Sequence, residues 1–279
     1  MSAAEFPRRG LRVRLREGHY SYLRPRHLAR LARLELLDRR GRSAYRILGV
    51  DELLATRTSD TAFVFGSGRS LVEITPHEWE SIARCNTISL REFPRQRWVR
   101  ADYHVTSEVD ELEPYAGRIR DNPLYARTVF VVQGGFMAER GNELVGRGLL
   151  PAGARVFRYR RRARGRYAPP SRSPRTLVHG PNSIFDATNL AVALGFRRVV
   201  LAGADYYNKE YFWLAPGEKR EYEPAAVDVR KDWGATPLIL AMMRAWRDEL
   251  APAAVELSVW NPRSRLAEVL PVFDRSTLP

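Results

Sequence analysis

The sequence predicts an α/β fold, a mostly parallel sheet with helices on both faces. Three observations carry that expectation. Residues 61–65 (TAFVF) form an apolar run closed by Gly66-Ser67-Gly68, as a strand buried in a parallel sheet would be. Further apolar runs at 87–90, 103–106, 128–133, 199–202 and 255–259 alternate with helical segments, clearest at 183–194 and 236–250. The 279 residues suffice to bury a sizeable core, as one large domain or two small ones.

In chain order, the first element is basic. The net charge is +14, and only Lys209, Lys219 and Lys231 of the 46 basic residues are lysine. Residues 1–50 hold 13 arginines against Glu5, Glu17, Glu35 and Asp38, a net +9, so an anionic partner is sought mainly there. Residues 1–23 have no clear period and read as an arm or an edge strand. Residues 24–37 place Leu28, Leu31, Leu34 and Leu37 at helical spacing with Arg26, Arg30 and Arg33 between them. Such a basic amphipathic helix packs on the main domain, or meets an anionic membrane surface or another copy. Poor aromatic interleaving and the lack of a motif speak against nucleic acid. The expected division is a basic extension over 1–60 and an α/β domain over 61–279. A single cysteine, Cys85, fits a reducing compartment. The charged start lacks a signal-like apolar core, and no run of eighteen apolar residues occurs. A cytoplasmic protein, peripheral on the inner membrane, is expected.

The turn after residue 65 can serve as an anion-binding corner. Its glycines allow a sharp turn and close approach of backbone N–H groups to a ligand. Ser70 is expected to cap a helix, with Glu73 three residues on. The turn lacks the third glycine of a dinucleotide fingerprint and the Gly-Lys-Ser/Thr of a P-loop. An unliganded strand-to-helix turn is the other reading. Residues 141–174 break the alternation with Arg155, Arg158, Arg160, Arg161, Arg162, Arg164 and Arg166, then Pro169-Pro170-Ser171. A mobile basic lid, or a disordered surface loop, is expected there.

Residues 180–211 are the second informative stretch. Ser183 and Asp186 fit a capping box, and Gly195 fits a C′ glycine ending a small-residue helix. The apolar run 199–202 then delivers Gly203-Ala204-Asp205-Tyr206-Tyr207 at its carboxyl end, where open α/β sheets place ligands. Ser183 as a plain cap, and Asp205 as a turn residue, remain equally open on these residues alone.

An ordered set of motifs resembles the bacterial lipooligosaccharide sialyltransferases, glycosyltransferase family 42. The matching residues are Phe65 to Leu71 (FGSGRSL), Arg84-Cys85-Asn86, Asn182-Ser183, Ala193-Leu194-Gly195-Phe196, Ala202 to Tyr207, and Asn261-Pro262-Arg263-Ser264, in family order from about Thr61 to Pro271. A wider group including pterin-pyrophosphokinase-like proteins shares the outline. The resemblance implies a single Rossmann-like nucleotide-binding domain, a GT-A-like variant with a small lid. It implies inverting, metal-independent transfer of a sialic-acid-like nonulosonic sugar from a CMP donor to a cell-surface glycan, with no cofactor and with a homo-oligomer as the assembled form. Gly66, Ser67, Gly68, Asn86, Thr106, Ser183 and Asp205 would hold the sugar nucleotide. Tyr207 would give its hydroxyl to the leaving phosphate, with Tyr211 a second phenol.

The chain departs from the family at Ser67 (asparagine there), at Arg69 (proline there) and before the helix matched to 236–250, where no histidine stands. Asp232 lies closest and is one candidate base; His179 and His104 are others. A monophosphate leaving group can be eased by neutral donors. No Asp-x-Asp follows a strand, and Glu108-Val109-Asp110 is the nearest carboxylate pair. Two other functions stay open: a pterin or other pyrophosphoryl transferase needing ATP and magnesium, and a non-catalytic nucleotide-binding protein.

Overall fold

The computed structural model describes residues 25–107, 109, 111–162, 168–207, 210–215, 218 and 236–279. Strand β2 (Thr61–Phe65) is buried at every position because both of its sides are covered. Ala62 and Val64 pack into one apolar cluster, and Phe63 and Phe65 into another on the opposite face. Around it stand β1 (Arg46–Ile47), β3 (Asn86–Leu90), β4 (Tyr103–Val105), β5 (Val129–Gln133), β6 (Arg155–Arg162), β7 (Thr176–Val178), β8 (Arg198–Ala202) and β9 (Glu256–Val259). They form a nine-strand sheet ordered β1-β6-β5-β4-β3-β2-β8-β9, with β7 added to β6, and every strand pair is parallel. This is the expected α/β, Rossmann-like architecture.

The order of strands positions the site. From β2 the chain steps outward through β3, β4, β5 and β6, then returns to build β8 and β9 on the other side of β2. The gap between the carboxyl ends of β2 and β8 is therefore a topological switch point, where open sheets leave a crevice. In register, Phe65 lies beside Ala202 on one side and Ser89 on the other.

The helices fall into two layers. On one face α6 (Ile184–Ala193) and α7 (Thr236–Leu250) cover the central strands through residues such as Phe185, Leu190, Met243 and Trp246. The short α2 (Val50–Leu54) adds Leu53 to the same cluster. On the other face lie α3 (Pro76–Ile82), α4 (Leu112–Arg120) and α5 (Glu139–Gly146). Helix α6 is buried along its whole length, which its alanine-rich sequence permits. It ends as expected at Gly195, φ +81°, with Gly195 N–H donating to Val192 and Phe196 N–H to Ala191, a Schellman close.

Four expectations are corrected. First, the extension drawn over 1–60 is not separate from Pro25 onward. Helix α1 (Pro25–Gly41) packs on α5, with Gly41 and Gly146 where the two backbones approach too closely for a Cβ, and β1 pairs with β6. Residues 1–24 lie outside the described residues. Second, 141–174 is no simple lid. It holds the rest of α5 and all of β6, and only 163–167 lie outside the described residues. The arginines of β6 are compatible with a strand because the inward ones find partners. Arg158 bonds Asp38 and Asn142 at 2.7 Å each, and burial, opposed by Asp38, lowers its pKa to about 10. Third, Ser70 caps no α-helix. Arg69–Glu73 is a 3₁₀ turn, and the capping box forms later, between Thr75 and Glu78 at the start of α3. Fourth, Ser183 makes no side-chain cap, because its own backbone is helical (φ −67°, ψ −17°) where a cap residue is extended, and Asp186 turns to His179 instead of closing a capping box.

Candidate functional site

A cavity of about 140 Å³ opens at the switch point. Gly66, Ser67 and Gly68 arrive from β2, Leu90 and Arg91 from β3, Gly203 to Tyr206 from β8, and Asn182 to Ile184 from the start of α6; Glu210 and Tyr211 close it. The space is comparable to a cavity of about 150 Å³ that takes one benzene ring.

The glycine turn serves the fold before any ligand. Gly66 N–H donates to Ala202 and Gly68 N–H to Gly203, both at 2.7 Å, prolonging the β2–β8 ladder. Arg69 N–H goes to the Glu210 carbonyl, and Ser70 N–H to an Asp205 carboxylate oxygen at 3.0 Å. Four of the turn's backbone donors, those of Gly66, Gly68, Arg69 and Ser70, are therefore spent internally. A Cβ on Gly66 would strike the Gly203 carbonyl, and one on Gly68 the Asp205 carboxylate, so close approach of β8 is what demands glycine here.

Asp205 is the hub of this corner. Its carboxylate accepts from Ser70 Oγ at 2.5 Å and from Asn261 Nδ2 at 3.3 Å, and the residue is buried. Asn261 Nδ2 also donates to the Tyr207 hydroxyl at 3.3 Å, and the Arg263 guanidinium sits 5.8 Å from the Tyr207 ring centre. Burial, then the Asp205 charge, raises the Tyr207 pKa, so the phenol keeps its proton. Asp205 orders the turn, as one of its two expected roles required.

Polar side chains also line the cavity. Ser67 Oγ is buried with no hydrogen-bond partner among the described residues. Tyr206 OH accepts from Asn182 Nδ2 at 2.8 Å. Arg91 (φ +51°) and Tyr206 (φ +56°) both hold left-handed backbone, rare for residues with a Cβ, and both line the cavity. Such strain persists only where the surroundings enforce it, and it gathers at functional sites.

Of the sequence-derived site residues, Gly66, Ser67, Gly68, Ser183, Asp205 and Tyr211 meet at this cavity. Thr106, Tyr207 and His179 stand at the same edge of the sheet but outside its lining. Thr106 follows β4, and its Oγ1 is buried without a partner among the described residues. His179 follows β7, buried, with Nδ1 2.6 Å from Asp186 Oδ2; Arg161 also reaches that oxygen at 3.5 Å. Asn86 is a correction. It opens β3 at the opposite edge, where its Oδ1 accepts from Thr58 and Ser59 N–H at 2.9 and 3.0 Å. A residue preceding a parallel strand cannot reach that strand's carboxyl end. His104 is a second correction. It is fully buried between Ser89 Oγ and Tyr115 OH, and burial lowers its pKa to about 3, so it is a neutral structural ring. Asp232, Glu108 and Asp110 lie outside the described residues. Sequence reasoning passed over Arg91, which directly follows β3, the signal that could have found it, and it placed Tyr206 at the ligand edge without giving it a role.

Among the described residues no group of three or more His, Cys, Asp or Glu side chains is placed to share a metal ion, and no helix is long and apolar enough to cross a membrane. The fold and cavity define the protein as a Rossmann-like α/β protein with a small pocket at its switch point. No protein-family model matches the chain, and no curated protein matches it.

Proposed function

We propose that the chain is an inverting, metal-independent glycosyltransferase that moves a sialic-acid-like sugar from a CMP donor to a cell-surface glycan. The observation that carries this reading is the orphaned Ser67 hydroxyl at a cavity shared with Ser183, Tyr206, Tyr211 and Arg91. The lining acids are already engaged, Asp205 by Ser70 and Asn261 and Glu210 by Arg69 at 4.0 Å, and the hydroxyls with the Arg91 guanidinium suit a nucleoside monophosphate, whose departure needs less charge compensation than a diphosphate's. The enclosed volume takes one ring or phosphate, and the rest of a sugar nucleotide extends over the rim.

In this reading an acceptor hydroxyl attacks the anomeric carbon on the face opposite the phosphate. The new C–O bond forms as the bond to CMP breaks. Tyr207, kept protonated, donates a hydrogen bond to the departing phosphate. His179 takes the hydroxyl proton. The contact between His179 Nδ1 and Asp186 Oδ2 fixes the orientation of the ring, as the third member of a catalytic triad does. The arginine-bearing α1, with Leu28 and Leu36 exposed, supports peripheral attachment to an anionic membrane.

Calorimetric titration with CMP, UDP plus manganese, and ATP plus magnesium tests the donor class. CMP should bind without metal, and Ser67→Ala and Ser183→Ala should each weaken it about tenfold. Tight UDP–manganese or ATP–magnesium binding with none of CMP would overturn the proposal. Transfer retained in His179→Gln but lost in Asp232→Asn would move the base to Asp232.

A further inference from the structure

A second cavity, of about 350 Å³, adjoins the first and is lined by Arg95, Gln96, Arg97, Trp98, Phe212 and Trp213. The two share a wall: Tyr211, which lines the central cavity, stacks on Trp213 with ring centres 4.7 Å apart and planes 24° from parallel. Aromatic contact continues outward, Trp213 meeting Phe212 edge-on at 4.9 Å and Phe212 meeting Trp98 at 5.4 Å.

The groove is built. The buried Gln96 side chain accepts from the Trp98 and Val99 amides and donates to the Val99 carbonyl at 2.9 Å. That closed loop of bonds pushes residues 97 and 98 outward. One face of the Trp98 indole lies on Trp79, 5.4 Å away and 18° from parallel, yet the residue stays 38% exposed. An indole held this rigidly and left uncovered loses little freedom on binding. The charge beside it is uncompensated: Arg97 donates to the carbonyls of Pro94, Gln96 and Asp121 but meets no carboxylate among the described residues. Arg95 pairs with Glu92 at 2.6 Å and lies 5.9 Å from the Trp213 ring centre.

We propose that this groove holds the acceptor, and that the acceptor is an acidic saccharide. The apolar C–H face of a sugar ring covers Trp98, and its carboxylate or phosphate pairs with Arg97 in the bidentate manner guanidinium favours. The volume falls in the lower range of small-molecule sites, so the groove takes the end of a chain, one or two rings. The Tyr211–Trp213 wall then sets that end beside the donor cavity. This inference rests on the transferase reading for its purpose, but its binding test does not depend on it.

The test titrates the wild-type chain with tetragalacturonate, neutral maltotetraose and the oligonucleotide dT8, following tryptophan fluorescence, with CMP titrated separately. Tetragalacturonate should quench or shift the emission and bind at least tenfold better than maltotetraose, and added salt should weaken it. Trp98→Ala and Arg97→Gln should each cost about tenfold, about 1.4 kcal/mol. Arg97→Gln, a change on an exposed side chain, carries the test if Trp98→Ala does not fold. Equal binding by the folded variants, equal binding of maltotetraose, or preference for dT8 overturns the proposal. CMP binding without saccharide binding sinks the groove and spares the donor reading; saccharide binding without CMP does the reverse.

Discussion

The two edges of this sheet are made of similar residues and behave differently. At the amino edge, polar side chains are consumed. Asn86 takes the Thr58 and Ser59 amides and gives its own N–H to Asp102 at 3.3 Å, and Asp102 also receives Thr87 N–H and the Arg100 guanidinium. At the carboxyl edge, Ser67 Oγ, Thr106 Oγ1, Ser107 Oγ and Asp186 Oδ1 are buried without a partner among the described residues. A buried polar atom left unpaired costs roughly 1–3 kcal/mol. The carboxyl edge carries that cost where the amino edge does not, and groups left unsatisfied are the ones a ligand can complete. A polar residue in a sheet protein is thus read by which end of its strand it occupies, before its chemistry is considered.

That contrast can be broken or sharpened by experiment. The largest effect is expected from the saturated interior. His104 is neutral in the fold, with a pKa lowered to about 3, and regains an ordinary value near 6.5 on unfolding. The unfolded chain therefore binds the extra proton between those values, and stability falls as pH drops from about 6.5 toward 3, by several kcal/mol. Denaturant midpoints measured across that range should slope less in His104→Phe than in the wild type; equal slopes would remove the argument. Next comes Gly68→Ala, which drives a methyl into the Asp205 carboxylate and should cost about 3 kcal/mol or more, read as a drop in Tm. A normal Tm would show that the turn is not wedged against β8. Asn86→Ala strands the Thr58 and Ser59 amides and should cost about 2–3 kcal/mol, with CMP affinity unchanged. Weaker CMP binding there would restore Asn86 to the site. Smallest, and opposite in sign, is Ser67→Ala, which removes a buried hydroxyl without a partner among the described residues and should raise stability by about 1 kcal/mol, although it should weaken CMP about tenfold. A large loss of stability would mean that Ser67 belongs with the saturated edge.

Much of the architecture was legible. The apolar runs around residues 61, 87, 103, 128, 199 and 255 became strands within a residue or so, because burial on both faces leaves a continuous apolar signature. Strand β6 was hidden because its arginines look like loop composition. What makes Arg158 tolerable is Asp38, far away in sequence, and local composition carries no trace of such a partner. The same blindness moved Ser70 and Asp186 into helix caps. Each has the right residue type for capping, yet each is claimed by a longer-range partner, Asp205 and His179. The misplacement of Asn86 was avoidable, since it precedes its own apolar run. The cavity's glycines, Ser67 and Asp205 were found because both strand-to-turn junctions follow such runs directly; Ser183 was reached through the motif resemblance and a cap that does not form. The aromatic groove was not found. Its walls come from residues 95–98 and 212–213, which only the fold brings together.

The strand order also governs how the chain leaves the ribosome. Thr61 sits beside Arg198, and Arg46 beside Arg155. At about 5–20 residues per second, translation separates the emergence of β2 from that of β8 by roughly 7 to 27 seconds. Throughout that interval one flank of a strand buried at every position in the finished fold lacks its neighbour, an open edge that invites pairing with other nascent chains. The ligand pocket comes into being only when β8 closes that edge.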